Sequence, residues 1–150
     1  MPKLMMVDDD AFNMISHEAF LLKWKVEVEL FTGGEAAVVA YEESLQKQCC
    51  KIGYTLIITD INMPEVDGFD VGERILALKR QRHDLPRPLT ILALTSHVDK
   101  DVLRRTAEIG FTNTYEKPMS IEKLEKLVKR YYKPYHPFMK PEVKKQSEKK

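Results

Sequence analysis

The feature that most restricts the fold of this chain is an alternation, repeated five times, of a short apolar run with a stretch of helical periodicity. Lys3–Val7 reads as a strand, and Phe12, Ile15, Ala19 and Leu22 follow it at helical spacing. Val26–Phe31 reads as a second strand, which Gly33–Gly34 turns into a helix with Ala37, Tyr41 and Leu45 on its inner face. Thr55–Thr59 is a third, followed after Gly68 by Val71, Ile75 and Leu78 on a helix. Leu89–Leu94 is a fourth, followed by Val102, Thr106 and Ile109, with Gly110 as the helix stop. Asn113–Glu116 is a weak fifth strand, after which Ser120 caps a last helix that turns Ile121, Leu124, Val128 and Tyr131 inward.

Strict alternation of this kind implies a parallel sheet with right-handed crossovers. Strands one, three and four are apolar throughout, as strands covered on both faces should be. The expected class is therefore α/β: a doubly wound, five-stranded parallel sheet with helices on both faces.

At 150 residues, 43% hydrophobic and 31% charged, the chain is one soluble domain's worth of sequence. Residues 1–132 are expected to form the domain. Residues 133–150, with prolines at 134, 137 and 141 and six lysines, are expected to be a disordered basic tail. That tail hides the sign of the rest. The formal charge of the whole is +1, but residues 1–132 carry 18 basic and 21 acidic side chains, which argues against a nucleic-acid-binding domain. The cysteines, Cys49 and Cys50, are neighbours and are read as reduced thiols. No apolar run reaches the ~18 residues of a membrane span, and Met1–Lys3 leads into a strand rather than a signal peptide. A cytoplasmic protein, or a cytoplasmic part of something larger, is expected. The connections at 46–53 and 80–88 are long and fall at the opposite end of the strands from the expected site.

Ligands of an open parallel sheet bind at the carboxyl ends of its strands, and that rule gathers residues far apart in sequence. Asp8 and Asp9 end strand one, Asp60 strand three, Thr95 strand four, and Lys117 strand five. Carboxylates converging at one edge repel each other unless a cation is present. Mg²⁺ suits such a site because it takes one or two carboxylates, waters and a phosphoryl oxygen, and Mn²⁺ is expected to substitute. Asp9 and Asp60 are then direct ligands, Asp8 holds a metal-bound water, and the backbone carbonyl of Asn62 is a third protein ligand. A metal with a lysine and a hydroxyl specifies phosphoryl transfer: Asp60 as nucleophile, Lys117 as second cation, Thr95 as hydroxyl donor. Taken singly, each residue has a plainer role. Asp60 alone would be a turn residue, Asp10 a helix cap, and Thr95–Ser96 a capping pair.

The motifs VDD at 7–9, DINMPEVDG at 60–68, ALTS at 93–96 and KP at 117–118 together resemble the receiver domains of two-component response regulators, over Lys3 to about Tyr132. DINMPEVDG and VDDDAFN look most like receivers attached to hybrid histidine kinases. The resemblance implies a flavodoxin-like sheet of order 2-1-3-4-5. It also implies that Asp60 accepts a phosphoryl group, with Mg²⁺, from a phosphohistidine on a histidine kinase or a histidine phosphotransfer protein. Slow loss of that group by hydrolysis is a further implication, while a dimer formed on phosphorylation is left open by the sequence. One position departs from the family. Receivers carry an aromatic residue three places before the lysine, where this chain has Thr114, with Tyr115 next to it on the opposite face of the strand.

His97, two residues after Thr95, is a candidate modulator of phosphate lifetime, or an exposed loop residue. His17, His83 and His136 lack metal-ligand spacing and are expected at the surface. Two other functions compete. An aspartate-nucleophile phosphohydrolase would need a second aspartate where Asn62 stands, so turnover of external substrates is not expected. A phosphorylation-independent binding module is kept open only by Thr114. Neither GxxxxGK nor GxGxxG follows the first strand, which argues against nucleotide binding.

Overall fold

Successive side chains of a strand point to opposite faces, and here both faces of the central strands are covered. The computed structural model describes residues 3–46, 53–82 and 88–132. In chain order its elements are β1 (Lys3–Val7), α1 (Ala11–Lys23), β2 (Glu27–Phe31), α2 (Gly34–Gln46), β3 (Tyr54–Asp60), α3 (Gly68–Gln81), β4 (Thr90–Thr95), α4 (Lys100–Ile109), β5 (Asn113–Glu116) and α5 (Ile121–Tyr131). All strand pairs are parallel, in the order β2-β1-β3-β4-β5. This is the flavodoxin-like arrangement, with its switch point between β1 and β3.

Met5, Val7, Ile57, Ile91 and Ala93 face one way and pack with Ala37 and Tyr41 of α2 and Val71 and Ile75 of α3. Leu4, Met6, Leu56, Ile58, Leu92 and Leu94 face the other and pack with Met14 and Leu21 of α1 and Leu124 and Val128 of α5. Fully burying one such side chain stabilises by about 1.5–3 kcal/mol, so β1, β3 and β4 and the helix faces packed on them together supply the driving force. The edge strands β2 and β5 are half-buried or exposed along their length.

Four helices begin on a carboxylate or hydroxyl that accepts a backbone N–H: Asp10 for α1, Asp67 for α3, Asp99 for α4 and Ser120 for α5. Since Asp99 caps α4, Thr95 and Ser96 are free of that role. Gly110 ends α4 at φ 119°, a conformation that favours glycine.

Helix α1 settles the orientation that spacing left open and corrects one expectation. The periodicity of Phe12, Ile15, Ala19 and Leu22 locates the helix, but these residues face out: Phe12 is 85%, Ile15 55% and Leu22 57% exposed. The buried face is Met14, His17 and Leu21. His17 is therefore in the interior rather than at the surface, because its ring has a buried partner, the Met119 carbonyl. The tail at 133–150, Cys49, Cys50, His83, His136 and most of the two long connections lie outside the described residues. Among the described residues, no helix is long and apolar enough to cross a membrane.

Candidate phosphoryl and metal site

Parallel strands all end on the same edge, so the last residues of β1, β3, β4 and β5 converge. Asp8 follows β1 and is 5% exposed, Asp60 ends β3 at 4%, and Thr95 ends β4 at 1%. Asp9 stands beside them in solvent. One oxygen from each of Asp8, Asp9 and Asp60 can be chosen so that all three lie within 4.8 Å of one another.

Lys117, directly after β5, bridges the two buried acids. Its Nζ lies 3.0 Å from Asp8 Oδ2 and 3.1 Å from Asp60 Oδ2. Its backbone N–H donates to the Thr95 carbonyl at 2.8 Å, which holds β5's end against β4's. The other Asp8 oxygen accepts the Asp10 backbone N–H at 2.9 Å.

Burial pushes the Asp60 carboxyl above the ordinary aspartate range. Lys117 pulls it down by charge and hydrogen bond, Asp8 adds to the rise, and the Asn62 backbone N–H favours the charged form. Burial is also the largest single influence on Lys117 and lowers it, but Asp8 and Asp60 together outweigh burial and hold Lys117 above the ordinary lysine range. Three carboxylates against one ammonium leave an excess of negative charge partly out of water. A hard divalent cation with oxygen ligands relieves that, so the donor set fits Mg²⁺.

The loop from Asp60 to Gly68 is closed by backbone bonds. Ile61 N–H donates to Leu94 O at 2.9 Å, and Gly68 N–H donates to Ile61 O at 2.8 Å. Gly68 comes so close that a Cβ there would lie 2.2 Å from the Asp60 carbonyl oxygen. Asn62, exposed, meets Asp60 through its backbone N–H.

The Thr95 hydroxyl donates to the His97 carbonyl at 3.2 Å. The His97 side chain is 80% exposed, and its Nε2 lies 3.8 Å from Asp99 Oδ2. Thr114 and Tyr115 face opposite ways, as expected. Thr114 Oγ1 lies 2.9 Å from Oγ1 of the buried Thr106 on α4. Tyr115 packs on the α1 and α5 side, with its hydroxyl 3.3 Å from that of Tyr131. The Thr106 partner and the buried His17 were missed, and nothing local in the sequence signals either.

The family model for the response regulator receiver domain matches residues 4–129. This chain belongs to that family. A related receiver region lies in the sensor protein GacS of Pseudomonas syringae pv. syringae, 29% identical over 127 residues, covering 85% of this chain and 13% of GacS. The chain thus spans a small part of that longer kinase. Two solved receivers share the fold. The receiver of Ssk1 from Saccharomyces cerevisiae, crystallised with the histidine phosphotransfer protein Ypd1, matches at TM-score 0.75 and 23% identity, over 87% of this chain and 88% of that one. The receiver of the histidine kinase CKI1 from Arabidopsis thaliana, solved with Mg²⁺, matches at TM-score 0.73 and 24% identity, over 86% and 90%.

Proposed function

We propose that this receiver accepts a phosphoryl group on Asp60 from a phosphohistidine, in a Mg²⁺-dependent reaction, and changes partner binding as a result. The observation that carries the reading is Lys117 Nζ held 3.0 and 3.1 Å from two buried carboxylates, at an edge where a third carboxylate completes a cation site. That the CKI1 receiver was solved with Mg²⁺ supports the choice of ion.

Asp60 attacks phosphorus through one carboxylate oxygen, forming an O–P bond as the P–N bond of the donor breaks. The imidazole leaves with the P–N electron pair and takes a proton from water. Mg²⁺, when bound, neutralises charge on the phosphoryl oxygens; Asp9 and Asp60 would hold it directly, Asp8 through a water, and Asn62 through its backbone carbonyl. Lys117 transfers its ion pair from the Asp60 carboxylate to a phosphoryl oxygen. Thr95 turns its hydroxyl from the His97 carbonyl to another. His97, with its ring at the surface, acts on the hydrolytic water only if it swings inward. Asn62 supplies no acid or base, so the aspartyl phosphate is lost slowly and external esters are not turned over.

The donor is a histidine kinase or a histidine phosphotransfer protein, and Phe12, Ile15 and Leu22, exposed along α1, offer it an apolar docking face on the helix that follows Asp9. The Ssk1 receiver, which shares this fold, was crystallised with such a phosphotransfer protein. The test is intact-protein mass after acetyl phosphate, with and without Mg²⁺, on wild type and Asp60→Asn. One added phosphoryl group that needs both Mg²⁺ and Asp60 is expected. No addition, together with no binding of beryllofluoride, would overturn the reading.

A further inference from the structure

His17 is the one buried histidine among the described residues, and phosphoryl transfer as derived above makes no use of it. Its Nε2 lies 2.9 Å from the Met119 carbonyl oxygen, a partner 102 residues away. A carbonyl only accepts, so the ring carries its proton on Nε2 and donates it. The bond joins the inner face of α1 to the turn that carries Lys117.

That turn spans residues 117–119 and is fastened at its two ends by different groups. At the front, the Lys117 N–H is bonded to the Thr95 carbonyl. At the back, Met119 O is bonded to His17, and Ser120 then caps α5. Between α1 and the turn lies a partly open cleft of about 210 Å³, lined by Asn13 and His17 of α1, by Lys117 and Pro118 of the turn, and by Asp8 at the site. Solvent rather than packed side chains therefore lies against part of the turn. Solvent yields to a shift where close-packed side chains resist one, so tethers weigh more in keeping such a segment in place. Lys117 must reach Asp8 and Asp60 at once, at 3.0 and 3.1 Å, and a shift of its backbone would lengthen one contact or the other.

We propose that His17 is a positioning residue for Lys117: its Nε2–H, donated to Met119, holds the 117–119 turn so that the ammonium faces the acceptor carboxylate. The inference rests on the reading of Asp60 as phosphoacceptor. It extends the working parts of the site to the hidden side of α1, which touches neither metal nor phosphate.

The test compares the full chain with His17→Leu, His17→Gln and His17→Asn. The phosphorylation rate with acetyl phosphate and saturating Mg²⁺ is followed by intact mass, and the wild-type ring nitrogens are read by ¹⁵N NMR. The wild type is expected to show the Nε2–H tautomer. His17→Leu should phosphorylate about threefold to tenfold more slowly, the effect open to one hydrogen bond. His17→Gln should recover most of the rate because its amide N–H reaches the carbonyl, whereas the shorter His17→Asn should not.

A leucine variant that keeps the wild-type rate overturns the proposal, as does an Nδ1–H tautomer in the wild type. If the leucine variant fails to fold, glutamine and asparagine variants of equal rate overturn it instead. A wild-type chain that takes no phosphoryl group brings down the functional reading, and this inference with it. A wild type that phosphorylates beside an unimpaired leucine variant removes the role of His17 alone.

Discussion

The hydroxyls of Thr106 on α4 and Thr114 on β5 meet at 2.9 Å, on the face where other receivers carry an aromatic ring. Thr106 also reaches the carbonyls of Val102 and Leu103 at 3.0 and 3.2 Å, so α4 is secured to itself and to β5 by one side chain. A short hydroxyl bound to Thr106 in this way cannot sweep between a buried and an exposed position as a long aromatic ring can. Beryllofluoride with Mg²⁺ is therefore expected to shift the amide signals of Thr95 to Asp99 and the first turn of α4, and to leave Thr114 in place. Two-dimensional ¹H–¹⁵N spectra check this; a large shift at Thr114 would show that the threonine itself switches.

Asp60 is expected to cost the fold stability at neutral pH. Its carboxyl is raised in the folded state, so between the ordinary aspartate value and the raised one the native chain binds more protons than the unfolded chain, and stability falls as pH rises through that window. Asp60→Asn should then raise Tm at pH 7 by about 2–6 °C without Mg²⁺. The gain should vanish below about pH 4, where the wild-type carboxyl is protonated in both states. Added Mg²⁺ should raise Tm of the wild type more than that of the variant. Thermal melts across pH settle it.

Gly68→Ala is expected to disturb the acceptor itself. The new Cβ would lie 2.2 Å from the Asp60 carbonyl and 2.7 Å from Ile61 Cα, both backbone atoms, so the loop must move. Overpacking of this sort costs about 1–3 kcal/mol, readable by urea denaturation, and phosphorylation by acetyl phosphate should slow with it.

How far the sequence spoke depended on whether a residue's partner was near it in the chain. Lys3–Val7 and Asn113–Glu116 were legible to the residue, and the acids and Lys117 could be gathered because parallel strands end together. Helix α1 could be placed but not turned. It is apolar on two sides, and composition does not say which of Phe12 or Met14 goes in. His17 and the partner of Thr106 were opaque for another reason: spacing set Thr106 with Val102 and Ile109, but it records no hydrogen bond between elements.

The outward side of α1 gives a prediction that separates docking from chemistry. Phe12→Ser removes the largest exposed apolar side chain next to the acids while leaving every ligand of the site in place. Transfer from a phosphorylated histidine phosphotransfer protein should slow about tenfold, the scale expected for one interface aromatic. Acetyl phosphate should act at the wild-type rate. Equal loss with both donors would place the effect in the site rather than in docking.

Lys25 sits at φ 62°, just past α1, where its N–H donates to Leu22 O at 3.0 Å. A side chain in this region is strained and glycine is not, so Lys25→Gly should gain about 0.5–1 kcal/mol by denaturant titration with phosphorylation unchanged.

The ion pairs of Lys117 with Asp8 and Asp60 also bear on the speed of the reaction. A lysine on a surface samples many rotamers and must be gathered into one before it can act. This one is already paired with both buried acids, so on the proposed function a phosphoryl group arriving at Asp60 meets a field that needs little rearrangement. In such a preorganised site, reorganisation contributes little to the barrier of the chemical step, because the ordering was completed when the chain folded.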